Sequence, residues 1–259
     1  MASAAFFNHP LFARLALLVA LAVAVESVWL LSRMGTRAPW SEYSSNAVSL
    51  MVGESIRFAM RGVFIGVYFA AFAIGLQPWS PGPLSAVICF VAVDLLLYLW
   101  HRLLHRTRWG WALHSVHHTG RAFSLVLAGR LPWPLRAIDD LVCLPLALLG
   151  FDPLLIYLCM AVCLTVQFLA HTSLVGRLGP IDRLLNSPSN HRVHHHTHDP
   201  DQNSNYGAAF MVWDHLFGTY RPEGAEEPIG TAEGPGPLNP LAVQWAGLRQ
   251  LFRRRGSKP

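Results

Sequence analysis

The sequence predicts an all-α integral membrane protein with about four to five membrane-embedded helices, the last two paired as a hairpin. The composition is apolar: of 259 residues, 53% are hydrophobic and only 14% are charged, against roughly 45–50% and 25% in soluble domains. Mean hydropathy is +0.34, and long apolar runs recur between residues 11 and 170. So few charges cannot cover a soluble body of this size, and the composition also argues against a disordered, coiled-coil or disulfide-rich secreted chain.

The N-terminal region predicts the first two crossings. Residues 11–31 are apolar and long enough to cross about 30 Å of hydrocarbon at about 1.5 Å per residue. Because only Arg14 offers a basic flank and no small-residue cleavage site follows, an uncleaved span is favoured over a signal peptide. Residues 41–61 are amphipathic and predict an interfacial segment that leads into a second span at 62–76.

A turn rich in proline and glycine at 77–83 precedes a third predicted span at 84–104. The stretch 106–136 is polar and is expected outside the hydrocarbon. Basic residues set the orientation, because five precede position 62 and fifteen follow His101. By the positive-inside tendency the histidine-bearing cap faces the cytoplasm and the N-terminus lies outside.

The apolar run 138–170 is interrupted by Gly-Phe-Asp-Pro at 150–153. Glycine followed by Asp-Pro is a poor continuation of one straight helix, so two helices joined by a tight turn are predicted, the first a half-inserted one near 139–150. This hairpin returns His171 to the same side of the membrane as His101. A single long span would place the two histidines on opposite sides.

Charge and cysteine content exclude other classes. The net charge is +5 and nineteen of the twenty basic residues are arginine, many beside apolar runs, which favours contact with a membrane surface and no nucleic-acid partner. The four cysteines lie in apolar segments without CxxC spacing, which predicts neither disulfides nor an iron–sulfur site; they are Cys89, Cys143, Cys159 and Cys163.

Histidine is the unusual residue, with thirteen copies of which twelve lie between positions 101 and 215. They form one HxxxH motif at 101–105 and two HxxHH motifs at 114–118 and 191–195. Helical residues three and four apart share a face, so each motif can offer several imidazoles to one ion. Neutral imidazoles are good ligands for iron, zinc, copper or nickel. The full set is too large for one ion and predicts two metals, with candidate ligands His101, His105, His114, His117, His118, His171, His191, His194 and His195.

Other polar residues receive weaker assignments. Asp94 lies seven residues before His101 on the same helical face and is predicted to orient an imidazole N–H from outside the ligand set, with helix packing against an arginine as the alternative. The remaining histidines extend no regular spacing. They are expected to be structural or at the surface, with a ligand role as the alternative for the two that directly follow the last motif, and the most N-terminal one is expected to be unrelated to the site: His9, His196, His198 and His215.

The motifs resemble those of the fatty acid hydroxylase / sterol desaturase superfamily of membrane-bound di-iron proteins. The resemblance covers roughly residues 84–222 and includes Asp94…Tyr98…His101-Arg-Leu-Leu-His105, both HxxHH motifs, Gln167…His171, Asn205-Tyr206-Gly207 and Trp213-Asp214-His215-Leu-Phe-Gly-Thr219. Two departures stand out. Gln167 occupies a position where some members carry a second histidine, and 130–134 reads Arg-Leu-Pro-Trp-Pro where some members have Arg-x-His-Pro.

The resemblance implies a helical membrane anchor with a cytosolic cap, two histidine-bound iron ions for which zinc can substitute, and O₂ as co-substrate. It further implies hydroxylation or desaturation of a lipid: a fatty acyl chain, a sterol or hopanoid, or a related molecule. The domains would be membrane helices and linker over 1–83, a catalytic domain over 84–222, and over 223–259 a Pro/Gly-rich connector with a basic interfacial helix. A bacterial inner membrane is the expected location.

No flavin, nicotinamide, haem or iron–sulfur motif is visible in the sequence, so electrons are expected from a separate reductase with a ferredoxin or cytochrome. An arginine-rich face is predicted either to dock an acidic carrier or to contact anionic lipid: Arg102, Arg106, Arg108 and Arg121. Trp100, Trp109 and Trp111 either line a lipid slot or form an interfacial belt. The alternatives are a zinc transporter and a catalytically inactive relative that holds zinc.

Overall fold

The computed structural model describes residues 9–225, 227–232 and 234–252. Three of its helices are long and apolar enough to cross a membrane: α1, Pro10–Met34, α2, Trp40–Ala73, and α3, Pro83–Arg106. Their outward faces carry exposed large apolar residues such as Leu21, Phe58 and Val87. The chain is an integral membrane protein of helical architecture.

Eight shorter helices complete the described part of the chain. They are α4, Arg108–His118, α5, Trp133–Asp139, α6, Leu144–Leu148, α7, Pro153–Leu169, α8, Pro188–His194, α9, Asp199–Gln202, α10, Val212–Leu216, and α11, Pro240–Phe252. Three 3₁₀ turns occur at Gly35–Arg37, Leu125–Gly129 and Gly179–Arg183. Among the described residues there is no β-sheet, and only two isolated bridges pair extended residues.

The second span differs from its prediction. An amphipathic segment at 41–61 and a span at 62–76 were expected, whereas α2 is one uninterrupted helix over Trp40–Ala73. Its polar face is buried against protein, because Glu42 and Asn46 hydrogen-bond to the chain between residues 121 and 130. The amphipathic pattern therefore reflects packing inside the protein.

The tight turn predicted near residue 150 is confirmed, but the helix predicted before it, near 139–150, is reduced to the five-residue α6, because residues 140–143 form a turn between α5 and α6. The turn after α6 lies against the turn before α3: the Leu76 amide donates to the Leu148 carbonyl at 2.7 Å and the Trp79 amide to the Gly150 carbonyl at 3.0 Å. Gly150 has a φ of 87°, and a Cβ there would collide with the Gln77 carbonyl. From this turn α7 runs back along α3, so its C-terminal end approaches the histidine-bearing end of α3. The number of membrane crossings stays a prediction, since α7 has only 17 residues, about 25 Å of helix.

The apolar core lies between α2, α3, α6 and α7. It includes Tyr68, Val93, Phe151, Ile156 and all four cysteines, which are free and buried. Cysteine acts here as a small hydrophobic residue, as its surroundings predicted. This core fixes α3 and α7 side by side, which brings their C-terminal ends together.

The C-terminal helix packs on α4. Val243 is fully buried and a Cβ on Gly247 would collide with the Ala112 carbonyl, so the two backbones are in close contact. The opposite face exposes Leu241, Trp245 and Phe252. The basic end of the predicted interfacial helix, residues 253–255, lies outside the described residues.

Candidate metal centre

Four chain segments meet at one end of the helical bundle. His101 and His105 are in the last two turns of α3, and α4 follows at once, its start capped by the Thr107 hydroxyl, which accepts a hydrogen bond from the Gly110 amide. α8 begins with Ser187 as N-cap and proline at its first position, a favourable helix start. His171 follows the end of α7.

The nine predicted histidines form two buried clusters. One cluster contains His101, His105, His114, His118 and His194, and the other contains His117, His171, His191 and His195. Within each cluster one ring nitrogen of every histidine lies within 4.8 Å of the others. Two nitrogens on opposite sides of one ion, each bound at about 2.1 Å, are about 4.2 Å apart. Each cluster thus has the dimensions of a single coordination sphere.

The HxxHH motifs divide their histidines between the clusters. In α4 the first and last histidines, His114 and His118, join the five-histidine cluster, while His117 joins the four-histidine cluster. In the second motif His191 and His195 join the four-histidine cluster, while His194 joins the other. The expectation that each motif serves one ion is therefore wrong for the two HxxHH motifs, whereas both histidines of the HxxxH motif lie in one cluster. Both helices lie between the clusters, so residue i+3 faces one side while residues i and i+4 face the other.

The imidazoles approach one another through their nitrogens. Nε2 of His171 lies 3.0 Å from Nε2 of His117 and 2.8 Å from Nε2 of His191. In the other cluster Nε2 of His101 lies 3.1 Å from Nε2 of His114. Several further ring nitrogens are buried without any hydrogen-bond partner, among them both nitrogens of His105 and His118, Nε2 of His194 and Nε2 of His195. A buried nitrogen without a partner is costly unless an ion binds it, so the donor set fits metal ions.

Burial also sets the protonation state. Desolvation, followed by the neighbouring imidazoles, lowers the pKa of His114, His117, His118 and His195 well below the ordinary value. Burial lowers the pKa of His171 to about 3. These histidines are therefore neutral at physiological pH, which is the form that binds a metal.

Backbone carbonyls orient three of the rings. Nδ1 of His101 bonds the Tyr206 carbonyl at 3.1 Å, Nδ1 of His194 bonds the Ser204 carbonyl at 2.7 Å, and Nδ1 of His171 bonds the Gln167 carbonyl at 2.7 Å. Each contact places the proton on Nδ1 and leaves Nε2 as the free ligand atom. The sequence does not reveal these groups, because a backbone carbonyl carries no side-chain pattern.

Asp94 does not orient an imidazole, so that prediction is wrong. Its carboxylate accepts hydrogen bonds from the Ala209 amide at 2.7 Å and the Trp213 indole at 2.8 Å. The segment from Ala209 to Trp213 packs over this face of α3, and its N–H groups bind the carboxylate. Asp94 thus holds the 206–214 loop in place. Its effect on His101 is indirect, because this loop carries the Tyr206 carbonyl that bonds the His101 ring.

Asp214 is a second buried carboxylate that holds the same loop. It accepts from the Tyr206 and Gly207 amides at 2.9 and 2.8 Å and from the Thr219 hydroxyl at 2.7 Å. Burial raises its pKa to about 6. Asn205 has a φ of 53°, unusual for a residue other than glycine, and its side chain bridges Asn190 and Arg221. The Asn-Tyr-Gly motif thus forms a turn, and the Tyr206 carbonyl within it is the group that bonds His101.

The other histidines lie outside both clusters. His196 bonds Asp201, His198 is exposed, and His215 bonds the Arg183 carbonyl and stacks on Tyr220. His9 caps the start of α1 and accepts from the Leu11 amide. All four therefore have structural or surface positions, as expected.

A helical membrane chain with two buried groups of converging imidazoles belongs to the class of histidine-rich metal-binding membrane proteins. The chain is a member of the fatty acid hydroxylase family, which matches residues 86–219. That range contains all nine clustered histidines.

The chain is also similar to named lipid-oxidising proteins. It is 37% identical over 210 residues to an alkylglycerol monooxygenase of Danio rerio, covering 76% of this chain and 47% of the relative. It is 30% identical over 214 residues to an alkylglycerol monooxygenase of Caenorhabditis elegans, covering 80% and 41%. It is 32% identical over 188 residues to an ornithine lipid hydroxylase of Rhizobium tropici, covering 69% and 53%. The chain thus spans about half the length of these relatives or less. No solved structure matches it.

Proposed function

We propose that this protein is a membrane-bound oxygenase that uses two iron ions and O₂ to hydroxylate or desaturate a lipid. The observation that carries the proposal is the pair of buried histidine clusters with unpartnered ring nitrogens in a chain of the fatty acid hydroxylase family. The relatives named above oxidise lipids. They give no support to a metal transporter, and the clusters lie at one end of the bundle, whereas transport calls for ligands across the membrane.

Each cluster would hold one iron. His101, His105, His114, His118 and His194 would bind the first ion, and His117, His171, His191 and His195 the second. With O₂, the iron pair would supply the oxidant that no side chain can provide, one strong enough to take hydrogen from an unactivated C–H bond. Hydroxylation consumes RH, O₂, two electrons and two protons and yields ROH and water; desaturation removes a second hydrogen and yields two waters. The protein keeps the imidazoles neutral and shields the clusters from bulk water, because every clustered histidine is at most 8% exposed.

The lipid would reach the site through the tryptophan-rich junction of α3 and α4. Trp111 lies 5.1 Å from the His105 ring and 5.4 Å from the His118 ring. Trp100 and Trp109 are neighbours, 6.1 Å apart, and Trp109 is 45% exposed. An acyl chain that slides from the bilayer past these rings arrives at the five-histidine cluster. The relatives' names, which print an alkylglycerol and an ornithine lipid, support a lipid substrate.

Electrons would enter from a separate acidic carrier, a reductase with a ferredoxin or a cytochrome. A surface cavity of about 540 Å³ is lined by Arg106, Ser204 and Arg221. The Ser204 carbonyl bonds His194, so one residue separates the cavity from the five-histidine cluster. Acidic groups on a carrier complement the two arginines. We propose that this face lies on the cytoplasmic side of a bacterial inner membrane. The proposed domains are 1–83, 84–222 and 223–259.

The test is anaerobic purification followed by metal analysis and a lipid oxidation assay. We expect two irons per chain, O₂ consumption with a membrane lipid, and loss of product in His117→Ala and His194→Ala. His198→Ala is the matched control, because that histidine is exposed and belongs to neither cluster. A single tightly bound zinc with no O₂ consumption would instead support the inactive zinc-holding relative. Lipid profiling of cells with and without the gene would name the substrate.

A further inference from the structure

We propose that Glu26 and Glu42, in the first two membrane helices, are positioning residues for the four-histidine cluster. Both precede the stretch 86–219 that matches the family, and neither contacts a histidine. Both are buried, 1% and 3% exposed. The inference rests on the proposed function, because it assigns these carboxylates to the metal site that function requires.

The two carboxylates hold the loop at 120–125. Glu42 accepts hydrogen bonds from the Arg121 amide at 2.6 Å and the Ala122 amide at 3.4 Å. Glu26 accepts from the Leu125 amide at 2.8 Å. A carboxylate that accepts backbone N–H groups makes stronger hydrogen bonds than a neutral acceptor. The loop is therefore fixed at both ends by side chains from two different membrane helices.

The loop forms a wall of the four-histidine cluster. Phe123, at its centre, is buried and its ring lies 5.8 Å from the ring of His171 in a stacked arrangement. The same ring lies 6.3 Å from His191 and 5.4 Å from His195. It thus packs against three of the four imidazoles and limits how far they can turn.

Glu26 also reaches the chain next to a histidine of the cluster. Its second carboxylate oxygen accepts the Thr172 hydroxyl at 2.7 Å, and Thr172 follows His171 directly. The Thr172 carbonyl accepts in turn from Arg192, the residue after His191. The Glu26 carboxylate therefore supports the cluster at two points, through the loop that carries Phe123 and through Thr172, which follows His171.

The experiment compares Glu26→Leu and Glu42→Leu with Glu54→Leu. Glu54 is a matched control, because it lies on the same helix as Glu42, is 46% exposed and pairs only with arginines. Each purified full-length variant is loaded with iron, challenged with a chelator and analysed for bound metal over time. We expect the metal content of Glu26→Leu and Glu42→Leu to fall from two per chain towards one, with release from the affected site about ten- to hundredfold faster. Glu54→Leu retains both ions.

Two further comparisons identify the affected site. Adding His117→Ala to Glu26→Leu causes no further loss of metal, whereas adding His194→Ala removes the remaining ion. Glu26→Gln and Glu42→Gln rescue retention, because the amide oxygen still accepts from the backbone and the Thr172 hydroxyl can reverse its role. If Glu26→Leu does not fold, Thr172→Val removes one of the same hydrogen bonds and releases metal about five- to tenfold faster.

The inference is overturned if wild-type protein holds two ions and folded Glu26→Leu, Glu42→Leu and Thr172→Val keep both with wild-type release rates. It is also overturned if the leucine variants lose the ion of the five-histidine cluster. Failure of the proposed function has a different result, namely wild-type protein that binds no pair of metal ions and oxidises no lipid.

Discussion

Arg130 shows how a single buried side chain supports the histidine clusters. Its guanidinium is 1% exposed and donates to the Val116 carbonyl at 3.1 Å, the Asn46 amide oxygen at 3.2 Å and the Pro237 carbonyl at 2.9 Å. Val116 stands between His114 and His117. The cation also lies at the C-terminal end of α4, where the helix dipole favours positive charge. One residue thus joins α2, the histidine-bearing helix and the C-terminal tail.

We expect Arg130→Met to lower the free energy of unfolding by about 3 kcal/mol or more, because it leaves buried carbonyls without donors. The measurement is thermal unfolding of the purified protein in detergent. Arg121→Met is the control, because the Arg121 side chain is exposed and only its backbone is bound by Glu42. Equal melting temperatures for the two variants would contradict the role given to Arg130.

The buried histidines make the metal-free protein sensitive to acid. Burial lowers the pKa of His171 to about 3 and those of His117 and His195 well below the ordinary value, so their contribution to stability is complete above pH 6.5. As the pH falls below 6.5, these histidines bind protons in the unfolded chain but stay neutral in the folded chain. Each such histidine then costs up to about 1.4 kcal/mol per pH unit.

We therefore expect the melting temperature of chelator-treated protein to drop between pH 7.5 and pH 5.5. Metal-loaded protein serves as the comparison, and its curve is expected to lie at higher temperature throughout, since bound metal stabilises the folded state. A melting temperature of the metal-free protein that stays constant over this range would show that the imidazoles are not buried in neutral form.

At the scale of helices, α4 and α8 form the partition between the two clusters. Each helix contributes the first and last histidines of its HxxHH motif to one cluster and the middle histidine to the other cluster. A shift of either helix therefore displaces ligands of both clusters at once. The position of these helices therefore depends on contacts at the face turned away from the clusters. For α4 these contacts come from Arg130 and α11.

The contact of α11 with α4 depends on Gly247. A side chain there meets the Ala112 carbonyl and comes within 2.9 Å of Val116. We expect Gly247→Val to separate the helices, lower the melting temperature and weaken metal retention in both clusters, as measured by chelator challenge. Gly62→Ala is the control, because a Cβ at that helical position meets nothing within 4 Å. Metal loss from only one cluster would contradict the role of α4 as a shared partition.

The sequence spacing predicted eight of the nine histidines, the turn near residue 150 and the helical class, because each leaves a pattern in side chains along the chain, whereas His171 stands alone. It did not predict that each HxxHH motif divides its histidines between the two clusters. The spacing places all three rings on one broad helical face, and which cluster each ring joins depends on where the helix lies relative to the clusters. Asp94 was misassigned for a related reason: its helical face was correct, but its partners come from the Ala209 amide and Trp213, far along the chain. Long-range packing supplied what local periodicity lacks.

At the scale of the whole molecule, the histidine end of α3 lies opposite to the turn that precedes this helix, and most basic residues follow this end in the sequence. The turn at 76–82 lies at the end of α3 opposite to His101 and His105, and the chain from residue 101 onward carries fifteen of the twenty basic residues. Glu26, near the C-terminal end of α1, and Glu42, near the N-terminal end of α2, contact the 120–125 loop on the histidine side. The three long helices therefore alternate in direction, as the prediction of three successive crossings requires.

This arrangement predicts which residues face each compartment. By the positive-inside tendency, Ser80→Cys should react with a membrane-impermeant thiol reagent added outside intact cells, whereas Arg221→Cys should react only after the membrane is opened. The native cysteines are buried, so they contribute little background under native conditions. Reaction of Arg221→Cys in intact cells would reverse the orientation and place the arginine-lined cavity outside. Reaction of both variants in intact cells would show that α3 does not cross the membrane, and the cavity would then be closed to a carrier in the cytoplasm.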